Sequence, residues 1–316
     1  MKKLNTSDIK DPCYSSIIQT DYLIIKDELY INFNYCCLHQ YRILSCKFED
    51  AIKNFDKYFN KCLEIIKKTK ICNKCKLYNN FPITSDSIGI NNGLNLMCSQ
   101  KCKFCVSNKY TEYYTKAMTM KKCVELNKVF LETLLKSANV KMLSVSCRGE
   151  PFEDPYIKNT FVFNLHKSNI KHITFLTNGL HFDKDYLMKL KEYGEKYNLN
   201  FYFLVNCSAF NKELYESYCT GKFEVVVKNI TNLFEIFKPY CSIKYILSDH
   251  NINIPKKKVI DDFKENFPDI PLEIISYSLD FKFWNKDEYK ELYDKVTKEE
   301  YLSVNYDYNH SGVPEN

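Results

Sequence analysis

Glycine and proline are scarce in this sequence, with 7 and 9 residues among 316. Their scarcity excludes collagen-like chains and Gly/Pro-rich low-complexity chains. No repeat of fixed period is found along the chain. Hydrophobic residues make up 45% of the sequence and aromatic residues 15%, which is enough to bury a core. The length allows one large α/β barrel-type domain or two smaller units.

Long apolar runs are also lacking. No uninterrupted stretch approaches the roughly 20 residues that a membrane span needs. The first residues include Lys2 and Lys3, but no apolar segment of a secretory signal follows them. We therefore expect a cytoplasmic protein with no membrane partner.

Several familiar functional patterns are missing. The sequence contains no His-x3-His spacing, no Ser–His–Asp order, no P-loop and no Gly-x-Gly-x-x-Gly. A net charge of +6 and a pI near 8.4 are modest, and the lysines form only short runs. Strong nucleic-acid binders usually have a higher pI and a clustered basic face. The composition thus does not favour nucleic acid as a partner.

Cysteine, by contrast, is abundant, with 15 residues. In a reducing compartment such cysteines are metal ligands, catalytic thiols or small buried side chains rather than disulfides. Three of them form the spacing Cys98-x3-Cys102-x2-Cys105. They could be buried thiols, zinc ligands or iron–sulfur ligands. No other Cys or His lies between residues 76 and 122, so a fourth ligand for closed zinc is missing. A four-iron cluster on three thiolates keeps one open iron position, as a catalytic site needs.

Short apolar runs alternate with helical patterns from residue 88 onward. Strands are predicted at 88–96, 141–147, 172–177, 200–207, 241–247 and 271–277. Helices are predicted at 119–137, 156–167, 183–197, 211–237 (with a break near Thr220-Gly221) and 256–267. This alternation predicts an α/β fold with a parallel sheet, in the form of a partial (β/α)6 TIM-type barrel. In such barrels the chemistry occurs at the carboxyl ends of the strands.

Before the barrel, the pattern predicts two short strands within 22–34 and a helix over 48–70. A Cys-x2-Cys pair with distant cysteines is typical of a metal site, and the candidate ligands are Cys37, Cys46, Cys72 and Cys75. Cys36 could replace Cys37. The metal would be structural zinc or a second iron–sulfur cluster. A redox thiol pair or incidental cysteines are the alternatives.

The other cysteines are isolated along the chain. Cys62 lies in the middle of the predicted 48–70 helix, at a position that suits core packing. For most of the rest we expect small buried thiols; this set comprises Cys13, Cys123, Cys207, Cys219 and Cys241.

Three further motifs follow the cysteine triplet in order, each after a predicted strand. They are Cys147-Arg148-Gly149-Glu150-Pro151, Thr177-Asn178-Gly179 and the stretch Asn206-Cys207-Ser208-Ala209-Phe210-Asn211-Lys212-Glu213-Leu214-Tyr215. Together with the triplet and Phe104 beside it, they resemble the radical SAM superfamily over roughly residues 88–280. The motif at residues 147–151 is similar to that family's Gly-Gly-Glu motif, and the motif at residues 177–179 is similar to its Thr-Asn-Gly turn. The last resembles the SPASM-type branch, although no cysteine beyond Cys241 is present for a C-terminal SPASM domain.

The resemblance implies a function. In that family a [4Fe–4S] cluster on three cysteines binds S-adenosylmethionine (SAM) and cleaves it reductively to a 5′-deoxyadenosyl radical, which abstracts hydrogen from a substrate. By this likeness Cys98, Cys102 and Cys105 bind the cluster. SAM is bound with the help of Phe104, Gly149, Glu150, Asn206 and Ser208. A flavodoxin- or ferredoxin-type electron donor is implied, and the substrate is unknown, of peptide/protein or sugar type.

This sequence departs from the family pattern at three of these positions. Arg148 stands where the family commonly has glycine, and Asn206 and Ser208 stand where serine and aspartate are expected. Hydroxyl and amide groups can still form hydrogen bonds to SAM after such exchanges. The predicted organisation is a cysteine-rich segment at 1–85, a radical SAM core at 86–280 and a C-terminal helix and tail at 281–316.

Two other hypotheses remain at this point. The first is a zinc-stabilised binding module in which all cysteine groups are structural and lysines contact an anionic partner. The second is an electron-transfer protein with two closed clusters. The missing fourth ligand near the triplet argues against the second.

Overall fold

A computed structural model of the chain describes residues 17–25, 28–35, 41–69, 89–103, 105, 118–145, 148–248 and 250–279. These residues contain one nine-stranded sheet in the order β3-β2-β1-β4-β5-β6-β7-β8-β9. Strands β4 to β9 are all parallel, whereas β1, β2 and β3 pair antiparallel with one another. Because β1 is parallel to β4, the amino-terminal strands extend the barrel sheet at one edge.

The elements have the following bounds. The strands are β1 Ile17–Ile25, β2 Glu28–Tyr35, β3 Tyr41–Lys47, β4 Gly89–Asn92, β5 Met142–Val145, β6 His172–Thr177, β7 Asn200–Asn206, β8 Cys241–Leu247 and β9 Ile275–Leu279. The α-helices are α1 Phe48–Lys53, α2 Phe55–Thr69, α3 Met120–Lys136, α4 Lys184–Tyr197, α5 Lys212–Tyr218, α6 Phe223–Phe237 and α7 Lys256–Asn266. A π-helical turn Ile157–Phe161 and a 3-10 helix Val162–Lys167 connect β5 to β6.

The prediction of an α/β fold with an open, partial barrel is confirmed. Each predicted barrel strand has a counterpart, and the predicted break near Thr220-Gly221 separates α5 from α6. The segment 156–167 is helical but divides into a π turn and a 3-10 helix, and the segment 48–70 divides at Asn54. Strand β3 was not predicted, because its Tyr41–Lys47 sequence alternates weakly between apolar and polar residues.

Side chains that cap the helices explain where several of them begin. The Thr119 hydroxyl accepts a hydrogen bond from the Lys122 amide before α3. The Asp183 carboxylate accepts from Tyr186 before α4, and the Asn211 side chain accepts from Leu214 before α5. Such caps satisfy amide groups that have no partner within the helix.

The barrel core lies between the sheet and its covering helices. On β6 and β7, alternate residues such as Phe175 and Phe203 are fully buried. The ring of Phe152 packs on both, at centroid distances of 4.9 Å and 6.1 Å, and Phe203 packs on Phe237 of α6 at 4.8 Å. One sheet face is therefore sealed by aromatic contacts.

The opposite face of the same strands carries polar residues at one level. Cross-strand pairs join Asn34 to Gln19, Gln19 to Asn91, Asn91 to Ser144, Ser144 to Thr174, and Thr174 to Tyr202. Because directly paired residues point to the same face, these six side chains form one line across six strands, here called the polar row. Barrel interiors are usually filled by branched apolar residues, so the polar row indicates a binding surface and not a packed core.

The amino-terminal elements pack on the barrel through α2. Phe55 contacts Phe33 of β2, Phe59 of its own helix and Phe130 of α3, with centroid distances of 6.2 Å, 6.0 Å and 5.9 Å. The Asp56 carboxylate accepts hydrogen bonds from the Ser137 hydroxyl and the Ala138 amide at the end of α3. These contacts tie part of the predicted 1–85 segment directly to the core.

No helix in the described part of the chain is long and apolar enough to cross a membrane. The predicted C-terminal helix and tail at 281–316 lie outside the described residues.

Replacing Phe55 by alanine should lower the free energy of unfolding by about 3–5 kcal/mol, because a buried ring shared by three neighbours is lost. Urea unfolding followed by circular dichroism measures this change. The control is Val129→Ala on α3, whose side chain is 41% exposed and should matter little. A Phe55→Ala loss no larger than that of the control would show that α2 does not stabilise the barrel.

Candidate active site

The cysteine triplet lies on the loop that follows β4, at the carboxyl edge of the parallel strands. The Asn95 side-chain oxygen accepts from the Met97 amide, and the Cys105 amide donates to the Cys102 carbonyl oxygen at 3.0 Å. The three thiols are thus carried by one short loop shaped by local turns, here called the cysteine loop, residues 95–105.

Glu150, after β5, joins three strand ends. Its backbone amide donates to the Met97 carbonyl oxygen at 2.6 Å. Its side chain accepts from the amides of Phe152 and Asn178 at 3.0 Å and 2.6 Å, and from the Thr177 hydroxyl at 2.8 Å. The loops after β4, β5 and β6 are therefore fixed to one another by a single residue, through its backbone amide and its buried carboxyl group.

The environment of Glu150 also changes its acidity. Burial raises the pKa of this carboxyl from an ordinary 4.5 to about 7, although the three hydrogen bonds that it accepts oppose the shift. The group is therefore poised between its neutral and ionised forms near neutral pH.

Gly149 is needed for the close approach of two backbones. A Cβ atom at this position would lie 2.6 Å from the Met97 carbonyl oxygen and 2.9 Å from the Met97 nitrogen. Gly179 of the Thr-Asn-Gly turn has a φ of +77°, and its carbonyl oxygen accepts from the Asn229 side chain at 2.8 Å. A side chain at position 149 would clash with the Met97 backbone, and one at position 179 would be strained by the positive φ.

Arg148 replaces the glycine that the family pattern leads one to expect, and the structure supplies its partner. Its guanidinium forms an ion pair with the Asp21 carboxylate of β1, and Asn34 of β2 donates to the same carboxylate at 3.0 Å. The amino-terminal strands thus reach the mouth of the barrel and hold this arginine beside the polar row.

A second carboxylate, Glu153, supports the cysteine loop from the same side. It accepts from the Ser99 amide at 2.7 Å and lies 3.4 Å from His181 Nε2. His181 follows the Thr-Asn-Gly turn, and its carbonyl oxygen accepts from Lys158 at 2.6 Å. Ser99, next to Cys98, is therefore linked to the loops after β5 and β6.

On its other side the cysteine loop is bonded to the turn between α5 and α6. The Gln100 side-chain oxygen accepts from the amides of Thr220 and Gly221, at 3.1 Å and 3.0 Å, and from the Thr220 hydroxyl at 3.3 Å. The Lys103 amide donates to the Tyr218 carbonyl oxygen at 3.0 Å, and the Lys101 amide donates to the Thr220 hydroxyl at 3.3 Å. The turn 218–221 therefore holds the backbone on both sides of Cys102.

Cys219 in that turn lies directly against the triplet. Its sulfur is 3.3 Å from the Cys102 sulfur, and neither cysteine is in a disulfide. Cys219 is half-buried and packs partly against the core, and the turn also carries its thiol to the cysteine loop. Within the described residues no three Cys, His, Asp or Glu side chains converge closely enough to hold a metal ion.

The donor set of the cysteine loop nevertheless fits an iron–sulfur cluster. Three soft thiols within eight residues have the short spacing that such clusters use.

Buried polar atoms without partners mark the rest of the site. Asn95 Nδ2, Asn178 Nδ2 and Asn206 Oδ1 are buried and have no hydrogen-bond partner among the residues the structure describes. They follow or end strands β4, β6 and β7, whose carboxyl ends share one edge of the sheet. Buried polar groups are rarely left unpaired, so this edge offers two donors and one acceptor to a polar ligand.

The remaining predicted site residues fall in different surroundings. Ser208 is buried, and its hydroxyl accepts from the Ile246 amide of β8 at 3.1 Å. Cys46 lies half-buried on β3, and burial raises its pKa to about 11. Phe104 lies outside the described residues, as do Cys37, Cys72 and Cys75, so the predicted amino-terminal metal site is not seen as a unit.

The isolated cysteines within the described part of the chain otherwise behave as predicted. Cys62, Cys123, Cys207 and Cys241 are all buried in the core. The sulfur of Cys207 donates to the Ala209 carbonyl oxygen at 3.1 Å.

Three residues of the site were missed from the sequence. Asn95 precedes the motif and Gln100 lies within it, both looked like loop residues, and Cys219 lies 114 positions beyond Cys105. Asn178 had been noted only as part of a turn. No local pattern marks Gln100 and Cys219, because the contacts of both join the cysteine loop to the distant α5–α6 turn.

An open α/β barrel with polar groups gathered at the carboxyl ends of its strands has the arrangement of a barrel enzyme. The chain belongs to the radical SAM superfamily, because a sequence model with that description matches residues 95–257, more than half of the chain. It is therefore a radical SAM enzyme, and its class implies SAM and a [4Fe–4S] cluster as cofactors.

Comparison with solved structures gives, among other matches, the crystal structure of archaeal TYW1. The identity is 16% and the TM-score 0.34, over 61% of this chain and 58% of that chain. This chain thus matches somewhat more than half the length of that protein. A search of the curated proteins found no match.

The raised pKa of Glu150 predicts a pH-dependent stability. The folded-state pKa of Glu150 is above its ordinary value of 4.5, so the neutral carboxyl group stabilises the folded state. This stabilisation is complete below pH 4.5 and is lost as the pH rises through about 7. The amide of Glu150→Gln does not titrate. From about pH 5 to about pH 8, the free energy of unfolding of wild type should therefore fall by about 2 kcal/mol relative to that of Glu150→Gln.

Urea unfolding of both proteins at the two pH values measures this shift. Glu192→Gln, at an exposed position on α4, is the matched control and should show no such shift. A difference that does not change with pH would mean that Glu150 remains in one protonation state.

Proposed function

We propose that Cys98, Cys102 and Cys105 bind the [4Fe–4S] cluster and that the neighbouring strand ends bind SAM. When bound, these cofactors supply the reductive cleavage that yields a 5′-deoxyadenosyl radical for hydrogen abstraction. The observation that carries the proposal is the Glu150 junction, which joins the cysteine loop to the Gly-Glu-Pro and Thr-Asn-Gly motifs. Motifs far apart in sequence thus meet at one place.

The unpaired buried atoms support a role in binding the amino-acid part of SAM. Amide N–H groups of Asn95 and Asn178 suit a carboxylate, and the Asn206 oxygen suits an ammonium group. Gly149 allows the backbone after β5 to lie against the loop at Met97. Roles of Phe104 and Ser208 in binding SAM remain predictions, and the Ser208 hydroxyl is already used as an acceptor from β8.

The polar row supports a polar substrate. It offers three amides, two aliphatic hydroxyls and one phenol, and the Tyr202 hydroxyl extends it to Ser242 of β8 at 3.1 Å. Asn32 Oδ1 and Asn91 Oδ1 are buried on this face without a partner among the described residues. A long acyl chain would leave these groups unpaired at a cost of about 1–3 kcal/mol each. A substrate of peptide/protein or sugar type can pair with them.

An electron donor of flavodoxin or ferredoxin type would supply the reducing electron. A second metal at Cys37, Cys46, Cys72 and Cys75, either zinc or a second cluster, stays a prediction. Membership of the SPASM-type branch also stays a prediction.

The central experiment is anaerobic reconstitution of wild type and of a Cys98/Cys102/Cys105→Ala triple variant. Wild type should gain roughly four iron atoms that the variant lacks. After addition of dithionite and SAM, only wild type should form 5′-deoxyadenosine. Candidate peptides and sugars in the same assay should raise the rate above its substrate-free value if they bind on the polar row.

Zinc alone in fully reconstituted wild type, with no 5′-deoxyadenosine, would reject the proposed cluster and support the zinc-stabilised binding module. Iron remaining in the triple variant would instead locate a cluster at the amino-terminal cysteines.

Asn206→Ala should weaken SAM binding about tenfold, which corresponds to the loss of one hydrogen bond to a charged group. Isothermal titration of the reconstituted protein with SAM measures this loss. Asn200→Ala, at the opposite and exposed end of β7, should leave the affinity unchanged. Equal affinity of wild type and Asn206→Ala would remove Asn206 from the SAM site.

A further inference from the structure

Cys219 and Cys102 face each other across two short backbone segments. The Lys103 amide bonds to the Tyr218 carbonyl oxygen, and the Lys101 amide bonds to the Thr220 hydroxyl. Lys103 is thus bonded to Tyr218 and Lys101 to Thr220, which places Cys102 across from Cys219. The closeness of the two sulfurs, 3.3 Å, is therefore set by the backbone as well as by the side-chain rotamers.

This arrangement suits a disulfide. The two sulfurs are 3.3 Å apart and must approach to roughly 2.05 Å to form an S–S bond. Gln100 fixes the turn from the other side through Thr220 and Gly221, so the backbone contacts keep the two thiols close together.

The same contact competes with the cluster. The Cys102 sulfur cannot be oxidised to a disulfide and also bind iron. With Cys102 removed, the cysteine loop would offer only Cys98 and Cys105, one thiolate fewer than a cluster with an open iron needs.

We propose that Cys102 and Cys219 form a redox-modification site, in which a disulfide closes when the cluster is absent and prevents its assembly until the bond is reduced. In this step the two thiols lose two protons and two electrons and gain one S–S bond. A disulfide oxidant such as oxidised glutathione accepts them and is reduced to two thiols. The consequence for the cluster depends on the proposed ligand role of Cys102, whereas the disulfide itself does not.

The test uses the full-length chain in two anaerobic states, cluster-free and reconstituted. Each is incubated with oxidised glutathione, quenched with acid, alkylated and digested, and the linked peptides are identified by mass spectrometry. We expect a Cys102–Cys219 peptide in the cluster-free protein, at least about tenfold more abundant than in the reconstituted protein, because a ligated sulfur does not exchange. Dithiothreitol should remove it and restore iron uptake.

Two variants sharpen the assignment. Cys219→Ser retains the backbone contacts of the turn and should keep its iron uptake after oxidation, whereas wild type should lose it. Cys241→Ala, which removes a buried thiol of β8, should behave as wild type.

The outcomes separate this inference from the proposed function. Reduced Cys219 in oxidised cluster-free wild type, or Cys102 linked to Cys98 or Cys105 instead, would overturn the modification site and leave the cluster assignment intact. A Cys102–Cys219 disulfide in protein that retains its full iron content would instead overturn the ligand role of Cys102.

Discussion

The site depends on one buried carboxyl group. Glu150 accepts hydrogen bonds from the loops after β5 and β6, while its own amide is bonded to the cysteine loop after β4. Burying a carboxyl group is costly unless hydrogen bonds compensate for lost water, and three donors do so here. Gly149 beside it allows the backbones to approach. Without Glu150, these hydrogen bonds between the loops after β4, β5 and β6 would be lost.

The two faces of the sheet differ: one packs in the core, and the other carries polar side chains. One face is sealed by rings such as Phe152 and Phe203, whereas the other carries the polar row. The amino-terminal strands contribute to both faces. Phe33 packs on α2, while Asp21 on β1 pairs with Arg148 at the barrel mouth. An arginine in place of the family's usual glycine is thus accommodated by an aspartate from a segment outside the barrel.

The cysteines show how one residue type serves different purposes in one chain. Cys62 and Cys207 are buried and pack as small apolar side chains. Cys98, Cys102 and Cys105 lie on a loop at the strand ends and are the proposed cluster ligands. Cys219, next to Cys102, belongs to neither group. Position in the fold, and not the residue type, separates a structural thiol from a reactive one.

The sequence by itself determined the barrel strands, most helices, the break at Thr220-Gly221 and the family, because periodicity and motif spacing are local properties. It could not determine that Asp21 holds Arg148, that Gln100 holds the α5–α6 turn, or that Cys219 lies against Cys102. These contacts join residues about 120 positions apart, and no local pattern encodes them. Only the parallel sheet, which brings the carboxyl ends of separate strands to one edge, decided them.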